Sequence, residues 1–193
     1  MSDSRAILCM LILMRLKTEL SHFDRLRLHK AALMLNIFSK KKCFAIEDPV
    51  LAYFDEIDNL SAEIKKLQEQ CNADTAKSLE QTLKEVDTRI KESYKRSTPF
   101  ILQSADFVNS ITDNKTLIVA SAIIGILSFY GYMPANDFEF YMRQTGYPEE
   151  FFSKKDIITA TVNLEKSGVI VKAVSAYRLC DSFTNVAEYK RLI

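Results

Sequence analysis

The residues best suited to chemistry in this 193-residue chain are few and scattered. Its four cysteines, Cys9, Cys43, Cys71 and Cys180, form no CxxC pair, whereas zinc sites carry at least one closely spaced ligand pair. His22 and His29 lie seven residues apart, not the four that would turn two imidazoles toward one metal from a helix. There is no glycine-rich phosphate loop, no HExxH and no GxSxG, and no nucleophile stands beside a plausible base. The carboxylates fall mainly on amphipathic segments whose natural role is a solvated face. The expectation is a non-catalytic protein with no metal and no cofactor, its cysteines free thiols in a reducing cytoplasm.

Binding chemistry has more material. Arg25, Arg27, Lys30, Lys40, Lys41 and Lys42 are the densest positive cluster. They are either a binding patch or a solvated face near a helix C-terminus, where cations suit the helix dipole. The whole chain is balanced, with 26 Lys+Arg against 25 Asp+Glu and a net charge of +1. A domain that lives on phosphate usually has a clear basic excess, so the balance argues against DNA binding by the protein as a whole.

The elements that must position these residues are mostly helical. Only four glycines, all from Gly125 onward, and four prolines interrupt the chain. An apolar helix is expected from Ser4 to about Leu20, and a second from about Phe23 to Phe38, capped by Ser21 or Asp24. From Asp55 to Arg96 a narrow apolar stripe (Leu60, Ile64, Leu67, Cys71, then Leu79, Leu83, Val86, Ile90) runs through dense Glu and Lys. Its phase slips across "CNADT", so it is one long bent helix or a hairpin turning at Asn72–Asp74. "STPF" at 97–100 is the expected boundary, because Pro99 disfavours helix at Thr98. Three regions result: 1–54, a helical N-terminal domain; 55–97, a charged helical arm or hairpin; and 98–193.

The last region has the most defined order. A short helix is expected over Ile101–Ser110, then a cap in "TDNK" and a charge-free buried helix, Thr116 to Phe129. The run Thr116–Met133 is near the lower length limit for a membrane span, but its polar surroundings favour a core helix and a protein with no membrane contact. The first apolar run, Ala6–Met14, lacks a cleavage site and is followed at once by Arg15 and Lys17. "GYMPAND" predicts a turn, Asp137–Thr145 a helix closed by Gly146, and Ser153 with Asp156 a capping box opening a helix that Gly168 closes. "VIVKAV" and "YRLCDSF" then pair as strands across Ser175–Ala176, and a final helix spans Val186–Leu192.

That order predicts a mainly α protein whose C-terminal domain is a winged helix with a short β wing. On its third helix Ile157, Ala160, Thr161 and Leu164 should face inward and Lys155, Thr159, Asn163 and Lys166 outward, with Lys172 and Arg178 on the wing. These six are the candidate partner-facing or DNA-facing residues. No arginine lies on the helix, and Glu149, Glu150 and Asp156 would repel phosphate. Protein docking is therefore expected, with any DNA contact weak or indirect.

Apolar N-terminal helices including "FDRLRLHKAALMLNIF", a charged arm and a tail with "NLEKSGVIVKAV" make the chain resemble the winged-helix accessory subunits of SMC-like ATPases. More narrowly, it is similar to the small middle component of three-component ABC-ATPase antiphage systems, the Lamassu group. The resemblance covers most of the chain as architecture, contains no diagnostic motif and transfers no site residue. It implies a cytoplasmic bacterial complex in which an SMC-like partner hydrolyses ATP and senses DNA, an effector subunit (typically a nuclease) does the damage, and this chain bridges or restrains them. The alternative is a dimeric winged-helix transcriptional regulator that binds DNA.

Overall fold

The computed structural model describes residues 12, 15, 16, 25–40, 43, 88–144 and 152–184. The expected arm over 55–97 lies outside these residues except from Thr88 on. The final helix Val186–Leu192, Lys41, Lys42, and the first helix apart from Ile12, Arg15 and Leu16 lie outside them as well.

Six helices and three strands follow one another in the described chain: α1 (Arg25–Ser39), α2 (Thr88–Ser110), α3 (Asn114–Tyr130), β1 (Tyr132–Pro134), α4 (Asp137–Gln144), α5 (Lys154–Lys166), β2 (Ile170–Ala173), β3 (Ala176–Leu179) and α6 (Asp181–Thr184). The protein is thus mainly helical, with one small antiparallel sheet in the order β1-β3-β2.

α3 is the centre. It is hydrophobic all round because every side chain from Leu117 to Leu127 is buried. Asp113 caps it, its carboxylate accepting from the Thr116 amide at 2.6 Å, and Gly131 ends it at φ +81° with its N–H on the Leu127 carbonyl. α1, α4, α5, β1 and β3 all pack on it. Among the described residues no helix is long and apolar enough to cross a membrane.

α1 is buried more deeply than its charges imply. Leu28 through Leu35 are all buried, including His29 and Lys30, so Lys30 does not belong to a solvated basic face. Burial, with the Lys30 charge adding to it, pushes the His29 imidazole down to about 3. The core of α1 is continuous with that of the C-terminal elements. Phe183 of α6 helps close it, its ring 4.8 Å from Phe38 and 6.0 Å from Phe107, while its carbonyl accepts from Gln103 Nε2 at 2.6 Å.

Three local expectations are corrected. Pro99 does not interrupt the helix: α2 runs through it from Thr88 to Ser110. An interior proline costs roughly 3 kcal/mol, but Ile101, Ala105, Phe107 and Val108 bury against the rest of the core and offset it. "GYMPAND" is not only a turn, because Tyr132–Pro134 pairs with Ala176–Arg178 and buries Met133. The hairpin link is Val174–Ser175, flanked by the pair Ala173↔Ala176, and β3 stops at Leu179 where Asp181 begins α6.

Candidate functional site

α5 is held by contacts encoded close along the chain. Ser153, in extended conformation, accepts from the Asp156 amide, and the Asp156 carboxylate accepts from the Ser153 amide at 2.7 Å. Lys115 reaches the same carboxylate at 2.8 Å, tying the first turn of α3 to the first turn of α5. Hydrogen bonds from Lys115 and then Ser153 hold the Asp156 carboxyl down at about 2. The far end is a Schellman motif: Val169 N–H reaches the Leu164 carbonyl (2.9 Å), Gly168 N–H reaches that of Glu165 (3.0 Å), and Gly168 sits at φ +72°.

Between these caps Ile157, Ala160, Thr161 and Leu164 face the core, with the Thr161 hydroxyl donating to the Ile157 carbonyl. Lys155, Thr159, Asn163 and Lys166 are exposed. The structure adds two residues that sequence reasoning missed: Ile158, 55% exposed, and Val162, one turn later and also exposed. They put a pair of β-branched apolar side chains in the outward face. "DIITATVNL" is apolar in too many phases for the pattern alone to say which residues turn away from the core.

On the β2–β3 hairpin Lys172 and Arg178 are exposed, but Arg178 is engaged by the Asp181 carboxylate at 3.2 Å. Val174 at the tip is 97% exposed with φ +58°, a left-handed conformation that a β-branched residue rarely adopts. Only the first of the two loop residues has positive φ, the sign pattern of a type II′ turn, which favours glycine there.

The described members of the basic cluster, Arg27, Lys30 and Lys40, do not present a common face. Arg27 turns into the fold, its guanidinium donating to the carbonyls of Val108 (3.0 Å), Ile111 (2.9 Å) and Thr112 (2.8 Å). These carbonyls are at and just beyond the C-terminal end of α2, where the helix dipole is negative; that of Val108 also accepts from the Ile111 amide at 3.3 Å. Lys30 is buried, Lys40 is exposed just past the end of the helix, and the Arg25 side chain lies outside the described residues.

Arg27 also fixes one wall of a cleft of about 420 Å³ between the α2–α3 corner and α5. Phe107, Ile111 and Leu164 line it with apolar surface, and Asp113, Thr116 and Asn163 with polar groups. It contains no cation, so it is poorly suited to phosphate. Its Asp113 carboxyl is held below the ordinary range by the Thr116 hydroxyl and amide.

The described surface thus offers contact chemistry: an apolar pair framed by lysines on α5, an apolar tip on the β2–β3 hairpin and a cleft whose one charged group is the Asp113 carboxylate. Comparison of the chain with protein-family models, with curated proteins and with solved structures found no match.

Proposed function

We propose that the C-terminal elements form a winged-helix domain used for protein docking, in a non-catalytic accessory subunit. The subunit docks on an SMC-like ATPase and bridges or restrains an effector, a nuclease by preference, in an antiphage or antiplasmid complex. The order α3-β1-α4-α5-β2-β3 and the strand order β1-β3-β2 support the fold reading. In that fold α5 is the helix that would enter a DNA major groove.

The observation that carries the docking reading is the outward face of α5. Ile158 and Val162 occupy it where base readout needs Arg, Asn or Gln, and Asn163 alone supplies such a group there. Arg27, one of the two arginines in the basic cluster, is consumed by the end of α2. The ATPase and effector partners rest on the resemblance in architecture.

The test is affinity purification of the tagged chain from its native host at moderate salt, with partners identified by mass spectrometry. Recovery of a large coiled-coil ATPase at fixed stoichiometry, lost on Ile158→Asp/Val162→Asp, is expected. Recovery of the chain alone, together with a shift of a specific duplex at physiological salt, would replace this reading with that of a DNA-binding regulator.

A further inference from the structure

The outward face of α5 carries a pattern that specifies the kind of partner it fits. Lys155, Ile158, Val162 and Lys166 are all exposed and are separated by three, four and four residues. At about 100° per residue, that spacing keeps the four within roughly 80° of helix surface, as one stripe along α5. The apolar pair holds the two middle positions, and an ammonium stands one turn beyond it at each end. Lys155 and Lys166 are eleven residues apart, which at about 1.5 Å per residue puts roughly 16 Å between them along the axis.

Neither end of the stripe is spent within the described fold. Asp156, the first carboxylate of α5, is taken by Lys115 and by the Ser153 amide. Among the described residues Lys155 and Lys166 make no ion pair, and neither does Lys154 beside them. Of the exposed charges on α5, Lys154, Lys155 and Lys166 are cations, and Glu165 alone is an anion. Ile158 is 55% and Val162 39% exposed, so the pair covers only a small part of the roughly 800 Å² that each partner gives to a standard interface. The lysines extend that contact, their methylene stems as apolar surface and their ammoniums as cations.

A helix lying along α5 meets all four positions at once, with two apolar side chains against Ile158 and Val162 and a carboxylate one turn outside each. A phosphate backbone fits less well. Glu165 lies one turn past Val162 and seven residues on from Ile158, where a phosphate meets repulsion and a polypeptide can supply a lysine.

We propose that the occupant of this face is an acidic amphipathic helix of the partner protein, in which two carboxylates about eleven residues apart frame an apolar pair. The proposal rests on the docking reading of α5 and narrows it to one partner chemistry.

Carbodiimide cross-linking of the tagged full chain in an extract of its native host tests it. The reagent activates a carboxylate, a lysine amine in contact with it displaces the urea, and an amide with no spacer remains. Peptide mapping by mass spectrometry should find Lys155 and Lys166 joined to two Asp or Glu of one partner segment, about eleven residues apart. Lys155→Glu/Lys166→Glu should lower recovery of that partner at least about tenfold, because like charges then face each other at both ends. Lys155→Arg/Lys166→Arg should retain it, and an unchanged Tm shows that the fold is intact in both. Recovery that is lost on Ile158→Asp/Val162→Asp yet indifferent to the lysine reversal would overturn the acidic helix and leave the docking reading standing. Recovery of the chain alone would overturn both. The proposal also fails if neither lysine is linked, or if the links reach only this chain's own carboxylates. Linked carboxylates about five residues apart, the spacing of an extended segment, would sink it too. So would a duplex shift that the lysine reversal abolishes.

Discussion

Arg27→Ala separates a structural arginine from a binding one. Arg27 makes three charge-assisted hydrogen bonds, two in part-buried surroundings (Val108 and Ile111 carbonyls) and one in the open (Thr112 carbonyl). The exposed acceptor regains water when the guanidinium is removed and contributes little. Each part-buried one loses a bond worth about 1.5–3 kcal/mol, discounted because water partly replaces it, so a total loss of about 2–4 kcal/mol is expected. For a chain of this size that corresponds to a fall in Tm of roughly 6–12 °C. Arg27→Lys keeps the positive charge at the α2 terminus but loses the planar fork, and should fall between the two. Thermal and urea unfolding followed by circular dichroism measure the effect. A change within about 0.5 kcal/mol of wild type, the range of ordinary surface substitutions, accompanied by weaker duplex binding, would refute the assignment and return Arg27 to a basic patch.

Acidification should act through His29. Its folded-state value of about 3 lies below the ordinary 6.5, so the neutral imidazole's stability is fully present above pH 6.5 and is lost as pH falls toward 3. About 2 kcal/mol should be gone by pH 5, and His29→Leu should flatten that part of the urea midpoint–pH curve; an unaltered curve would mean that His29 titrates normally. Two sites of similar backbone conformation should respond in opposite directions. Gly168→Ala places a Cβ at φ +72° with no atom within 4 Å to relieve or worsen it, for a cost of about 1 kcal/mol. Val174→Gly removes a β-branched residue from φ +58° and should stabilise by about 0.5–1 kcal/mol, read by Tm. Ser153→Ala should cost about 1 kcal/mol through the lost cap of α5; because the Asp156 carboxyl is held low, the cap should persist at pH 4 and fail only as pH falls through about 2, which the amide exchange of the first turn of α5 reports.

Features closed by neighbours along the chain were legible without the structure. Ser153 and Asp156 close the start of α5 within four residues, Gly168 closes its end, and Asp113 caps α3. The composition of 116–129 implied a helix buried all round, which holds from Leu117 to Leu127 but not at Phe129, and the inward set Ile157, Ala160, Thr161 and Leu164 followed from 3.6-residue periodicity. In each case a hydrogen bond or a transfer free energy depends on residues within one or two turns.

Tertiary structure decided what depends on distant partners. Whether Pro99 breaks a helix was settled by the burial of Ile101–Val108 in the shared core, and whether Tyr132–Pro134 becomes a strand by Ala176–Arg178, more than 40 residues away. Lys30 and Arg27 carry the same formal charge in the sequence, yet packing buries one and carbonyls at and just past the end of α2 engage the other. The outward turn of Ile158 and Val162, and the run of ring contacts from Phe129 through Tyr130 and Tyr141 to Phe140, follow from which faces α3 and the sheet cover first. Burial is a competition among all apolar faces at once, and a linear pattern records the competitors without the outcome.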